Sequence, residues 1–166
     1  MKKSVKEISL LGVLAALYVA LCIVFAPISF AALQFRVAEI LIVLPFYNKK
    51  YSISIILGTF AANFFFGYGI IDAVIGSAAS ALVCAVIILA KNKFVIAPAA
   101  GIINGVMIGA MLYIFIIDEP PAIIILMASV AVSCFAVALA GVLAFTGIEK
   151  TNPRFIGMIK NGQNIF

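Results

Sequence analysis

The stretch "ALVCAVIILA" (81–90) decides the fold class. It is apolar throughout and shows no alternation with polar residues. A strand of a membrane barrel alternates between lipid and lumen over segments of about ten residues. A continuous aliphatic run suits a helix instead, because in lipid every backbone N–H and C=O must be bonded inside the segment. Extended back to Ile70, the run is long enough at about 1.5 Å per residue to cross a hydrocarbon layer of about 30 Å.

Working outward, six such stretches can be read, roughly 8–26, 31–47, 52–66, 70–90, 95–117 and 122–146. The whole chain of 166 residues is 66% hydrophobic and 10% charged, with a mean hydropathy of +1.31. An ordinary soluble domain is about 25% charged, so this chain could not cover its own surface in water. The expected fold is an all-α integral membrane protein, a bundle of six transmembrane helices forming one domain over 1–166. The third stretch is short for a span, and the second is long enough only if it begins before Arg36. Both are expected to be tilted, locally irregular, or started inside protein rather than lipid.

Basic residues set the orientation. A six-span arrangement puts Lys2, Lys3, Lys6, Lys49, Lys50, Lys91, Lys93, Lys150, Arg154 and Lys160 on one side and leaves Arg36 on the other. That bias places both termini in the cytoplasm. The net charge of +5 then follows from topology and anionic lipid. Nucleic acid is not an expected partner, since the basic residues are scattered over four short inner segments. The start, "MKKSVKEISLLGVLAALYVALCIVFA" (1–26), has the charged head of a signal peptide, but its apolar run is too long, and it reads as the first helix. After Phe145 the chain turns polar and basic at a Gly and a Pro, as a tail along the inner surface. Cys22, Cys84 and Cys134 fall within spans and read as small buried hydrophobes.

Few polar groups remain at membrane depth: Gln34, Arg36 and Glu39 at the outer end of the second span, Asn63 in the third, Asp72 starting the fourth, Asn104 in the fifth, and Ser129 and Ser133 in the sixth. Tyr68 lies in an outer turn. A channel or proton relay needs polar groups through the whole thickness. Here they gather in the outer half, which describes a cup open to the outside with a dry floor. Arg36 and Glu39, at (i, i+3), face each other on a helix; they either neutralise one another and anchor the outer loop, or line the cup and meet solute. Asp72 is either a helix-start carboxylate favoured by the macrodipole or a second acid of the cup. Asn63 and Asn104 are either interhelical glue or site groups. Asp118 and Glu119 read as a solvated turn.

Small residues recur every four positions, as Gly12, Ala16 and Ala20 and again as Gly101, Gly105 and Gly109. Each stripe is either close helix packing within the chain or a docking face for another membrane protein. The first helix is the better docking candidate. Without histidine and with its cysteines far apart, the chain offers no metal or haem site. It has no phosphate-binding G-x-x-x-x-G-K-[ST] loop and no nucleophile–base pair, so no cofactor and no enzymatic activity are expected.

Six short helices, an outer cup and no motor resemble the substrate-binding S-components of energy-coupling factor transporters. Within that group "QFRVAEILIVLPFY" (34–47), "LGTFAANFFFGYGIIDAVIGSAAS" (57–80) and "IINGVMIGAML" (102–112) resemble the queuosine-precursor transporter family. The resemblance implies a bacterial cell-membrane protein that binds a deazaguanine base from outside. It also implies partners: a shared transmembrane coupling subunit and two cytoplasmic ATPases, met through Ala16 and Ala20 with Gly12 one turn earlier. Glu39, Asp72, Asn63, Asn104, Arg36, Gln34 and Tyr68 become the substrate-binding candidates, with Phe35, Phe64 or Tyr68 available to stack on the base. A carboxylate suits the adjacent N–H donors of such a base. The alternatives are an S-component for riboflavin, thiamine or folate, or a structural membrane subunit that transports nothing.

Overall fold

The apolar run from Ile70 is a single helix that stops at Lys91, whose backbone turns left-handed (φ 52°). The computed structural model describes residues 2–26, 35–116 and 123–161, and within them every regular element is helical. In chain order these are α1 (Lys2–Val24), a 3₁₀ segment (Val37–Val43) continuing into the short α2 (Leu44–Tyr47), α3 (Tyr51–Phe66) and α4 (Ile70–Ala90). A 3₁₀ turn (Lys93–Val95) then leads α5 (Ile96–Met111), a π turn (Leu112–Ile116), α6 (Ile123–Thr151) and α7 (Pro153–Asn161).

Four helices, Val5–Val24, Ile70–Ala90, Lys93–Ile116 and Ile123–Thr151, are long and apolar enough to cross a membrane. The apolar helices Val37–Tyr47 and Tyr51–Phe66 are shorter. The second stretch, expected as one span over 31–47, therefore departs most from its sequence reading; residues 31–34 lie outside the described residues. Its helical part is wound as 3₁₀ for seven residues, long for a geometry that seldom exceeds three or four. Val37, Ile40, Ile42 and Val43 are β-branched and fit an α-helix less readily, while Pro45 suits the first turn of the helix that follows. Ala38, Glu39, Leu41, Ile42 and Val43 are all buried, so the irregular backbone is shielded by protein, the condition under which it survives at membrane depth.

This segment is the centre of the bundle, packed against α1, α3 and α6. The close approach to α6 depends on Gly141, where a Cβ would lie 2.6 Å from the Ile40 carbonyl oxygen. The two small-residue stripes part company. Gly101, Gly105 and Gly109 face α6: a Cβ at Gly105 would stand 2.6 Å from Ala131 Cβ and 2.9 Å from the Met127 carbonyl oxygen. That stripe is internal packing. Gly12, Ala16 and Ala20 are exposed, and a Cβ at Gly12 would meet nothing within 4 Å. The opposite face of α1 seats Tyr18 against Gly58 of α3, and Ser54 Oγ donates to the Leu11 carbonyl at 2.8 Å.

The basic turns gather at one end. Lys50 pairs with Glu7, Lys93 with Glu149 at 2.8 Å, and Lys49 and Lys91 line one groove. The last span runs past its expected end at residue 146. The helix runs through Gly147 to Thr151, its last turn held by Glu149 between Lys93 and Lys160. The chain then re-enters helix as α7, which buries Ile156 and Ile159 and leaves Arg154 and Lys160 outside. Tyr51 Oη donates to the Ile159 carbonyl at 2.8 Å and Asn48 Nδ2 to the Lys160 carbonyl at 3.2 Å, stitching α7 beneath the 48–50 turn. The three cysteines are buried and unbridged.

Candidate functional site

At the end of the bundle away from the basic turns, the polar side chains converge. Arg36 precedes the 3₁₀ segment in extended backbone (φ −76°, ψ 90°), so it is not on a helical face with Glu39. Its guanidinium instead reaches α4, where Nη2 meets Asp72 Oδ1 at 3.0 Å, both side chains being almost wholly buried. Asp72 thus has a basic partner, supplied from 36 positions earlier in the chain. Asn63 of α3 donates through Nδ2 to the same Oδ1 at 3.2 Å and to the Asp72 carbonyl at 3.1 Å. Tyr68 donates its backbone N–H to Oδ2 at 3.3 Å.

The local sequence makes this possible. Asp72 sits in the first turn of α4, where a carboxylate is favoured by the exposed N–H groups and dipole. Gly69, at φ +77°, takes a backbone that L side chains avoid. A Cβ at Gly67 would run into Asp72 Oδ2, and one at Gly76 into Asn63 Nδ2. These two glycines leave room for the polar knot.

Glu39 is the second acid, fully buried one turn into the 3₁₀ segment. Its Oε1 accepts from Tyr18 Oη at 3.4 Å, and its charge acts on Arg36. Among the described residues its Oε2 has no hydrogen-bond partner, and neither does Asn104 Nδ2. Asn104 lies beside Cys134 of α6, a thiol that also feels Glu39 and Arg36. The site therefore draws one or more side chains from α1, the 3₁₀ segment, α3, α4, α5 and α6. Among the described residues no group of His, Cys, Asp and Glu is arranged to hold a metal ion.

Of the sequence candidates, Arg36, Glu39, Asp72 and Asn63 are together, with Asn104 joined through its neighbour Cys134. Gln34 lies outside the described residues. Tyr68 contributes its backbone N–H, and its ring is partly exposed. Burial first, and then the Asp72 carboxylate, hold the Tyr68 phenol above its ordinary pKa, so it remains a neutral hydroxyl. Phe64 is exposed and stacks on Phe60 (6.2 Å between ring centroids). Ser129 and Ser133 bond back to carbonyls of their own helix at 2.9 and 2.8 Å. Sequence reasoning missed Tyr18, and also the buried Thr59–Ser80 pair joining α3 to α4 at 3.1 Å. The available signal was a tyrosine within an otherwise aliphatic span, since a buried phenol usually finds a partner.

Residues 8–150 match the family model described as the QueT transporter. The chain belongs to the QueT transporter family. This is a family of transporters and not of enzymes, and the apolar helices of this QueT-family chain suit a multi-pass membrane protein. It is 33% identical over 97 residues to the "Queuosine precursor transporter QueT" of Lactococcus lactis subsp. cremoris (strain MG1363). That match spans 57% of this chain and 57% of the relative. No solved structure matches.

Proposed function

We propose that this QueT-family chain is the substrate-specificity (S) component of an energy-coupling factor importer in a bacterial cell membrane, and that it binds a deazaguanine-type queuosine precursor from the outer side. In this reading residues 1–166 are one domain of six membrane-embedded helices with both termini cytoplasmic. Val37–Tyr47 and Tyr51–Phe66 are its two short members. The observation that carries the proposal is the meeting of Arg36, Glu39, Asp72 and Asn63, from three separate elements, in one buried place. Charge in such a setting is costly to insert, and a transporter has a use for it. The relative's printed substrate supports the choice of solute.

Glu39, Asp72, Asn63, Asn104, Arg36, Gln34 and Tyr68 form the proposed solute-binding set. The carboxylates suit the paired N–H donors of a deazaguanine edge, and the carboxamides supply both donor and acceptor. Gly12, Ala16 and Ala20 form the proposed contact with a transmembrane coupling subunit, itself carried by two cytoplasmic ATPases. Their exposure supports that reading.

A thermal-shift screen of the detergent-solubilised protein tests the solute. A ligand that binds only the folded state raises the unfolding temperature in proportion to RT ln(1 + [L]/Kd). Deazaguanine bases are expected to raise it, while riboflavin, thiamine and folate leave it unchanged. A shift with one of those vitamins instead would assign a different S-component. Saturable binding of nothing at all, with partner helices still co-purifying, would make the chain a structural subunit.

A further inference from the structure

The polar cluster contains two kinds of group. Asp72 is bonded at both oxygens: Oδ1 accepts from Arg36 at 3.0 Å and Asn63 at 3.2 Å, and Oδ2 accepts from the Tyr68 N–H at 3.3 Å. Asn63 spends its amide on the same residue. These bonds join the segment ahead of Val37 to the α3–α4 turn, and they are complete without any solute. Glu39 and Asn104 differ. Each is at least 98% buried, and each presents an atom with no partner among the described residues, Oε2 and Nδ2.

A buried polar atom without a bond is costly, and in native structures such atoms are few. Here one is an acceptor and the other a donor, and beside Asn104 stands the Cys134 thiol, a weak acceptor that leaves Nδ2 without a geometric hydrogen bond among the described residues. Charge points the same way. Arg36 makes its close ion pair with Asp72, whereas Glu39 feels the same guanidinium only from a distance. Two further unpartnered atoms, Tyr47 Oη and Ser52 Oγ, sit by the 48–50 turn at the other end of the bundle.

We propose, resting on the solute-binding reading above and narrowing its residue set, that the cluster is divided: Arg36, Asp72, Asn63 and the Tyr68 N–H are a structural latch that shapes the site, while Glu39 Oε2 and Asn104 Nδ2 are the groups that read the solute. The solute then offers an N–H donor or a cationic nitrogen to Glu39 and an acceptor to Asn104. Lactam-containing heterocycles carry that pairing. A solute presenting only acceptors is rejected, because Glu39 would stay buried against a second electron-rich group.

The test measures two quantities on the purified full chain: the unfolding temperature without ligand, and the affinity for 7-aminomethyl-7-deazaguanine, with 7-deazaguanine as a second probe. Glu39→Gln removes the buried charge while keeping the acceptor that Tyr18 uses, and Asn104→Leu removes the unpartnered donor. Both are expected to keep or raise the ligand-free unfolding temperature and to weaken binding at least tenfold. Asp72→Asn and Asn63→Leu break the latch and are expected to lower the ligand-free temperature by several degrees. A ligand-free loss in Glu39→Gln as large as that in Asp72→Asn would overturn the division, as would wild-type affinity in both Glu39→Gln and Asn104→Leu. If the wild type binds neither probe, the deazaguanine assignment falls by itself, and the ligand-free temperatures still decide which residues are the latch.

Discussion

Asp72 accepts more bonds than a carboxylate in the first turn of a helix needs, and its neighbours are shaped around it. Gly76 lies one turn later on α4, where Asn63 Nδ2 occupies the space of a side chain and Arg36 Nη1 would stand 3.4 Å from a Cβ. Alanine is a better helix former than glycine by about 1 kcal/mol. Gly76→Ala is nevertheless expected to destabilise by about 1–3 kcal/mol, since it pushes the Asn63 carboxamide off its two buried bonds to Asp72. Gly12→Ala, with open space at its Cβ, is expected to be neutral or stabilising by up to about 1 kcal/mol. Chemical denaturation of the two variants side by side checks the contrast. At this scale the sequence was half legible. Arg36, Glu39, Asp72, Asn63 and Asn104 stood out because polar groups are expensive in an apolar chain. Which of them pair was not legible, because Arg36 leaves the helical register that would have aimed it at Glu39, and contact across 36 positions leaves no trace in local spacing. Tyr18 was hidden, since aromatic residues abound in cores and its hydroxyl alone signals a partner.

Among the elements, length and hydropathy sufficed for the long helices. Residues 70–90 were read with the boundaries the structure has, because a continuous aliphatic run between a glycine turn and a lysine turn admits one helix. The 3₁₀ segment was foreseen only as irregularity. Its winding depends on what surrounds it, chiefly the approach of α6 at Gly141, and no local pattern encodes that. The glycine stripes were alike in sequence and are unlike in the fold. Gly105→Leu is expected to force α5 away from α6 and cost several kcal/mol, as overpacking does at its worst, read as loss of a monodisperse folded protein in detergent. Ala16→Leu with Ala20→Leu touches an exposed face. If that face is the proposed contact with a coupling subunit, the double variant is expected to leave solute binding and unfolding temperature within error of wild type while abolishing uptake in cells. Loss of binding and uptake together would mean that α1 packs differently.

For the whole molecule, the collection of basic turns at one end makes orientation testable. The native cysteines are buried, so an added one labels cleanly. With a membrane-impermeant maleimide on intact cells, Ile70→Cys, which is exposed at the start of α4, is expected to react. Arg154→Cys is expected to react only after permeabilisation; the reverse pattern would invert the topology. The proposed membership of a larger importer was legible through motif resemblance and not through physics, since a chain with no nucleotide-binding loop says nothing of who supplies energy. The C-terminal helix has a practical consequence. Because carbonyls of Ile159 and Lys160 are gripped by Tyr51 and Asn48, residues 153–161 act as a stopper pushed up under the bundle. An affinity handle or fluorescent reporter belongs beyond Asn161. A version trimmed after Thr151 would bare the phenols of Tyr47 and Tyr51 and invite clumping during purification.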